Sequence, residues 1–147
     1  MTGTVLSVGA IAAVAAGAAY IRLAPSDPAR WNTPPNVYAF DHGAASGEVI
    51  ALGNGAALFL GPQSGAPADL LARLDAIAMA TPRTTRLAGS LAQGQITWVT
   101  RSALWGFPDY TTAQVREAGL YIHARLRFVK SDMGVNAARL RDWHSKL

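Results

Sequence analysis

Five polar side chains in the second half of the sequence are of types that bind an anion or another small polar ligand. Arginine guanidinium groups donate paired hydrogen bonds to phosphate and carboxylate oxygens. The segment 131–136 (SDMGVN) lies just before a predicted helix, and a helix N-terminus attracts negative charge. These observations predict an anion or small-ligand site, and its candidate residues are Arg101, Arg125, Arg127, Asp132 and Asn136.

The same segment also has a purely structural interpretation. Gly134 accepts a positive φ, which a tight turn requires. Asn136 is a suitable N-cap for a helix that begins at Ala137, and Asp132 can pair with Arg125 or Arg127. These three roles explain the residue types without a ligand, so the sequence favours a turn over a site.

Signatures of catalysis are sparse. The sequence has no phosphate-binding glycine loop, no nucleophile elbow and no paired-histidine metal motif. It has no cysteine, and His42, His123 and His144 lack metal-ligand spacing. We therefore expect no enzyme activity, no metal and no cofactor. A hydrolase that uses Asp109 or Asp132 is the weakest alternative, because neither residue has an evident nucleophile or base beside it.

The periodicity of the soluble part predicts an α+β fold, an antiparallel sheet packed by two helices. Residues 67–80 and 137–147 have apolar residues at helical spacing. A hairpin is predicted at 48–60, around the turn residues Gly53, Asn54 and Gly55. Further strands are predicted at 84–91, 95–102, 111–116 and 120–129.

The alternation in residues 120–129 indicates a strand with one buried and one wet face. Leu120, Ile122 and Ala124 point to one side of the strand, whereas Arg125 and Arg127 point to the other. Residues 106–109 (GFPD) form a predicted turn whose phenylalanine fills the core. The arginine pair is therefore expected on a solvent-exposed sheet surface.

The N-terminal residues 2–22 predict a transmembrane helix that precedes the folded domain. Residues 2–21 contain no charged side chain, and about 20 such residues span a bilayer. Gly9, Ala13 and Gly17 have the four-residue spacing that favours packing between membrane helices. A signal peptide cleaved near residues 16–18 is the alternative. The predicted domain organisation is thus an anchor at 2–22, a proline-rich linker at 23–46 and an α+β domain at 47–147.

Charge is unevenly distributed along the chain. Residues 22–80 contain three basic against five acidic side chains, and residues 81–147 contain ten against four. A basic half suits an anionic membrane surface, and a solvated basic sheet face is the structural alternative. Nucleic acid is not an expected partner, because no basic motif with interleaved aromatic residues is present.

Three motifs in the second half resemble those of domain-of-unknown-function family 1499. They are Arg101-Ser102, residues 106–109 (GFPD) and residues 131–136 (SDMGVN). Residues 22–31 (RLAPSDPARW) also resemble the linker of proteobacterial members. The resemblance covers about the last two-thirds of the chain. It implies a small, often membrane-anchored bacterial protein and brings no established activity.

This chain departs from the family pattern at two places. The family has Arg-Ser-Arg-Phe-Gly where residues 125–129 read RLRFV, and an arginine often stands where this chain has Ala137. If the family's arginine- and serine-rich surface binds an anion, this member has lost part of it. In anchored members the resemblance implies export, which places the domain in the periplasm, on the bacterial inner membrane.

The expected function is non-catalytic binding by a single-pass membrane protein. The leading hypothesis is an accessory or assembly subunit of a larger membrane complex, whose partners are the lipid bilayer and other membrane protein subunits. The alternative is a periplasmic domain that binds an anion or a lipid head group.

Overall fold

The computed structural model describes residues 2–40 and 45–147, with side chains for 8–36, 38–40 and 45–147. Its helices within these residues are α1 (Thr2–Leu23), α2 (Pro28–Trp31), α3 (Pro67–Ala80) and α4 (Val135–His144). Its strands are β1 (Val49–Leu52), β2 (Gly55–Leu60), β3 (Thr84–Ser90), β4 (Gln95–Arg101), β5 (Pro108–Arg116) and β6 (Gly119–Arg125). The predicted α+β class is confirmed.

The described strands form one six-stranded antiparallel sheet in the order β1-β2-β6-β5-β4-β3. Two hairpins, β1–β2 and β3–β4, therefore lie at its edges, and the long β5–β6 hairpin lies in its centre. Gly55 and Gly119 allow close approach at the hairpin ends, because a Cβ on Gly55 would lie 2.0 Å from the Ala124 carbonyl oxygen.

Helices α3 and α4 pack side by side on one face of the sheet. Helix α3 contacts β3, β5 and β6, and α4 contacts β1, β2 and β6. Between the two layers lie Leu71, Leu74, Trp98, Ile122 and Trp143, all fully buried. The two tryptophan rings meet edge to face at 5.9 Å. The predicted helix at 67–80 and the predicted inward residues Leu120, Ile122 and Ala124 of β6 are confirmed.

The other face of the sheet is covered by the N-terminal residues 24–40, which we call the strap. The ring of Trp31 stacks on Tyr110 of β5 at a centroid distance of 3.9 Å. Asn32 accepts hydrogen bonds from the side chains of Gln95 (3.0 Å) and Thr97 (2.9 Å) on β4. The strap contains α2 and a short 3-10 helix at Val37–Phe40, and its prolines prevent a longer helix. Carbonyl oxygens such as those of Trp31 and Pro35 therefore accept hydrogen bonds from arginines of the sheet.

Because the strap covers this side of the sheet, the prediction of a solvent-exposed sheet face is wrong. His123 and Thr112 on that face are buried, and the side chain of Arg125 lies under the strap. Strand β6 is also shorter than predicted. Arg125 pairs with Gly55, the first residue of β2, so the chain beyond it has no neighbouring strand on that side.

The start of α4 and the place of Phe107 also differ from the prediction. Helix α4 begins at Val135 rather than Ala137, and its N-cap is Gly134. Phe107 is half-buried and contacts Phe128 at a ring distance of 6.4 Å, so it lies outside the main core. His42 lies outside the described residues.

Helix α1 leaves the domain with its apolar side chains outward. Val8, Ile11 and Val14 are more than half exposed. Among the described side chains, which in α1 begin at residue 8, no helix has the length and apolarity that crossing a membrane requires.

Candidate functional site

The three sequence motifs meet at one end of the sheet, where β4 ends, β5 begins and α4 begins. Arg101 at the end of β4 donates through Nη1 to the Gly106 carbonyl oxygen at 3.0 Å. The Phe107 N–H donates to Ser102 Oγ at 3.0 Å. The Asn136 side chain donates to Asp109 Oδ2 at 3.3 Å. Residues that are far apart in sequence therefore form a single polar cluster.

Asp109 lies at the centre of a buried ionic network. Its Oδ2 accepts from Arg139 Nη2 at 3.3 Å, and both side chains are nearly buried. Burial raises the pKa of Asp109 to about 6, although the charge of Arg139 and the Asn136 hydrogen bond oppose the rise. Arg139 also donates to the Asn136 side-chain oxygen. The network fixes the start of α4 against the start of β5.

Asp132 has a capping role that the sequence assigned to Asn136. Its two oxygens accept from the Gly134 N–H at 3.0 Å and the Asn136 N–H at 2.7 Å. Burial alone would raise the pKa of Asp132, but these hydrogen bonds hold it below its usual value. Asn136 is instead fully buried inside α4 and donates to Asp132 and Asp109.

The predicted pairing of Asp132 with Arg125 or Arg127 is wrong, because among the described residues both arginines bond elsewhere. Arg125 donates to Thr33 Oγ1 at 2.6 Å, the Trp31 carbonyl oxygen at 2.7 Å and Thr112 Oγ1 at 2.6 Å. Arg127 donates to the Pro25 carbonyl oxygen at 2.7 Å. These two guanidinium groups hold the chain's own strap.

Arg101, one of the three predicted ligand-binding arginines, lines an open cavity. This cavity of about 470 Å³, which we call the basic cavity, is lined by residues that include Arg22, Arg83, Thr85, Arg101, Ser102 and Gly106. It contains the last basic residue of α1 and the turn before β3. Neither Arg22 nor Arg83 was predicted to be a ligand-binding residue, because only the tertiary structure brings them to Arg101.

A second cavity of about 560 Å³ lies beside the first and shares Arg83, Arg101 and Ser102 with it. Its lining includes Asp109, Asp142 and Arg139, so its charges are mixed. Within the described part of the chain, no group of acidic or histidine side chains is placed to hold a metal ion.

Large apolar side chains are exposed at the end of α1, in the turn after β4 and in the segment from the end of β6 to the start of α4. This set, which we call the apolar rim, consists of Tyr20, Leu23, Leu104, Trp105, Val129, Met133 and Val135. Leu104 is 73% exposed and Met133 is 95% exposed. Tyr20 contacts Phe128 at 6.1 Å, and Arg22 donates to the Leu104 carbonyl oxygen at 2.7 Å, so the rim surrounds the point where α1 meets the domain.

Comparison with known proteins agrees with the motifs. The family model described as "Protein of unknown function (DUF1499)" matches residues 29–147. No curated protein matches the chain, and no solved structure matches it. The match includes the strap from Ala29 onward together with all six described strands and α4. The chain belongs to the DUF1499 family.

Proposed function

We propose that this protein is a single-pass membrane-anchored binding protein without catalytic activity, an accessory module whose domain rests on the bilayer surface. The observation that carries the proposal is the apolar rim around the base of α1. Exposed apolar side chains gathered on one side of a domain favour an interface with a membrane or a partner. Here they adjoin a helix whose own apolar side chains are exposed.

The charge distribution supports the same orientation. Arg22 and Arg83 line the basic cavity, and neither forms an ion pair among the described residues. Basic groups beside apolar ones suit the head-group region, where the apolar parts insert and the cations meet phosphates. The proposal places the domain on the periplasmic side of the inner membrane, as the resemblance implied.

The exposed small residues of α1 support a role beside other membrane subunits. Gly9 and Gly17 have no described atom of this chain within 4 Å of where a Cβ would stand. Together with Ala13 they leave a surface to which a second membrane helix can approach closely. A partner subunit would then contact α1 within the bilayer while the domain lies above it.

A non-catalytic role is supported by the way the polar groups are used. Asp109 is engaged by Arg139 and Asn136.

The anchor is tested by a single charge in the middle of α1. Ala13→Arg places a cation at the centre of the span, where insertion is disfavoured. Ala13→Leu changes the same position without a charge. After alkaline carbonate extraction of cell membranes, we expect the wild-type chain and Ala13→Leu to stay in the pellet and Ala13→Arg to appear largely in the supernatant.

Release of the wild-type chain by carbonate would refute the anchor. So would equal retention of Ala13→Arg and Ala13→Leu, because a helix that does not enter the bilayer is insensitive to a charge at its centre.

A further inference from the structure

The basic cavity gathers three guanidinium groups whose chain positions are far apart. Arg22 ends α1, Arg83 lies in the turn before β3, and Arg101 ends β4. Arg22 donates to the Leu104 carbonyl oxygen at 2.7 Å, and Arg83 donates through Nε to the Arg101 carbonyl oxygen at 3.1 Å. Backbone carbonyl groups therefore hold these side chains in position around the cavity.

Asp109 and Asp142 line the second cavity, which shares Arg83 and Arg101, but none of the three arginines forms an ion pair with a carboxylate within the described structure. The ion pairs formed there are Arg86–Asp75, Arg139–Asp109 and Lys146–Asp142, and none includes a residue of the basic cavity. The lining of the cavity contains no acidic residue. Like charges held together repel one another, and an anion between them removes that repulsion.

Some donors around the cavity remain available to a ligand, although both terminal nitrogens of Arg101 already donate, to the carbonyl oxygens of Gly106 and Ala24. Arg83 uses only Nε within the described structure, so its two terminal nitrogens have no hydrogen-bond acceptor there. Ser102 Oγ accepts from the Phe107 N–H, which leaves its hydroxyl proton free to donate. Arg83 has a φ of 58°, a backbone conformation that non-glycine residues adopt rarely and mostly where structure or function demands it.

We propose that the basic cavity binds a phosphate group at the membrane surface, held by Arg22, Arg83 and Arg101 and by the Ser102 hydroxyl. A phosphate has oxygens on several sides and accepts from donors that converge from different elements. The position of the cavity at the base of α1, beside the apolar rim, favours the head group of an anionic lipid over free phosphate. This inference rests on the proposed anchoring.

The test measures the thermal unfolding midpoint of the full chain in nanodiscs. Wild-type protein is compared in phosphatidylcholine alone and in phosphatidylcholine mixed with phosphatidic acid. Arg83→Gln removes one donor of the cavity. Arg73→Gln is the matched control, because Arg73 is exposed on α3 and lies outside the cavity lining. Both variants lose one positive charge.

We expect phosphatidic acid to raise the midpoint of the wild-type chain and of Arg73→Gln by at least about 4 °C. In Arg83→Gln the rise should be mostly lost, since one charged donor is worth about tenfold in affinity. A second variant, Arg22→Gln, should behave in the same way. Equal rises in Arg83→Gln and Arg73→Gln would show attraction of the lipid by net charge alone and would rule out a lipid head group as the ligand of the cavity.

A further arm identifies the source of the phosphate. Inorganic phosphate is added to the chain in phosphatidylcholine nanodiscs, with chloride at the same ionic strength as the reference. A rise that needs Arg83 in this arm supports the phosphate site with a soluble ligand. No Arg83-dependent rise in either arm overturns the proposal. A chain that fails to enter nanodiscs would refute the anchoring instead, and the inorganic phosphate arm, run without lipid, would still test the cavity.

Discussion

Replacing Arg125 with alanine is expected to lower the free energy of unfolding by about 3–5 kcal/mol, because three hydrogen bonds of a partly buried charged donor are lost together. Two of these bonds reach the strap, at Thr33 and at the carbonyl oxygen of Trp31. The third joins β6 to Thr112 of β5. The strap should therefore detach more easily from the sheet, beyond the loss of overall stability.

Urea unfolding of the full chain in mild detergent measures the change in free energy. Trypsin reports on the strap, because Arg30 is an exposed cleavage site within it. In Arg125→Ala we expect faster cleavage after Arg30 under conditions where the sheet stays folded.

Arg141→Ala is the control for Arg125→Ala, since Arg141 is exposed on α4 and makes no side-chain hydrogen bond within the described structure. Its unfolding free energy should stay within about 0.5 kcal/mol of the wild-type value. An Arg125→Ala protein as stable as Arg141→Ala, with unchanged cleavage at Arg30, would show that Arg125 does not hold the strap.

Replacing His123 with glutamine is expected to make the protein more resistant to mild acid. Burial, and then the charge of Arg125, lowers the pKa of His123 from 6.5 to about 4 in the folded protein. Between these two values the unfolded chain binds a proton that the folded chain does not. Stability is thus lost as the pH falls from 6.5 towards 4, by up to about 3 kcal/mol at 1.36 kcal/mol per pKa unit.

Asp109→Asn should make the protein less resistant to mild acid, which is the opposite of the effect expected for His123→Gln. Its pKa is raised to about 6 in the folded protein, so the folded chain gains a proton first and this group adds stability as the pH falls through that value. Unfolding free energies at several pH values between 7 and 4 measure both effects. The explanation fails if His123→Gln loses as much stability in that range as the wild-type protein.

Local features of the fold were predictable because they depend on neighbours in sequence. Helix α3 was predicted with its correct bounds, since its apolar stripe and its flanking Pro67 and Pro82 are all local. The inward side of β6 followed from the alternation of Leu120 and Ile122 with polar residues. Periodicity of this kind reports which side of an element is buried.

The covered side of the sheet was not predictable from the same alternation. Arg125 was predicted to face solvent because it is polar, yet the strap covers it and supplies the Trp31 carbonyl oxygen and Thr33 Oγ1 as its partners. No local pattern indicates that a proline-rich segment contributes those partners. The aromatic residues Trp31, Tyr38 and Phe40 were the signal, since such large residues are unusual in a free linker.

The candidate site was predicted only in part for a similar reason. Arg101 carries a motif and was selected, but Arg22 and Arg83 reach it through the sheet order and the path of the strap. Asp132, rather than the predicted Asn136, caps α4 for a geometric reason. Gly134 adopts a φ of 86° and starts α4 two residues earlier than predicted, which moves Asn136 from the cap into the buried side of the helix.

The most direct test of the proposed membrane contact asks which end of the domain lies on the membrane. Because the sequence has no cysteine, a single introduced cysteine carries one fluorescent label. Met133→Cys places the label in the apolar rim. Leu91→Cys places it in the exposed turn at the opposite end of β4, about 20 Å away along the strand.

Each labelled full-length chain is reconstituted into liposomes that contain anionic lipid, and its emission maximum and its quenching by aqueous iodide are measured. We expect the emission maximum of the label at Met133 to shift to shorter wavelength and this label to be shielded from iodide. The label at Leu91 should stay water-exposed. Equal exposure of the two labels, in a chain that carbonate does not extract, would contradict a domain that rests on the bilayer through its apolar rim.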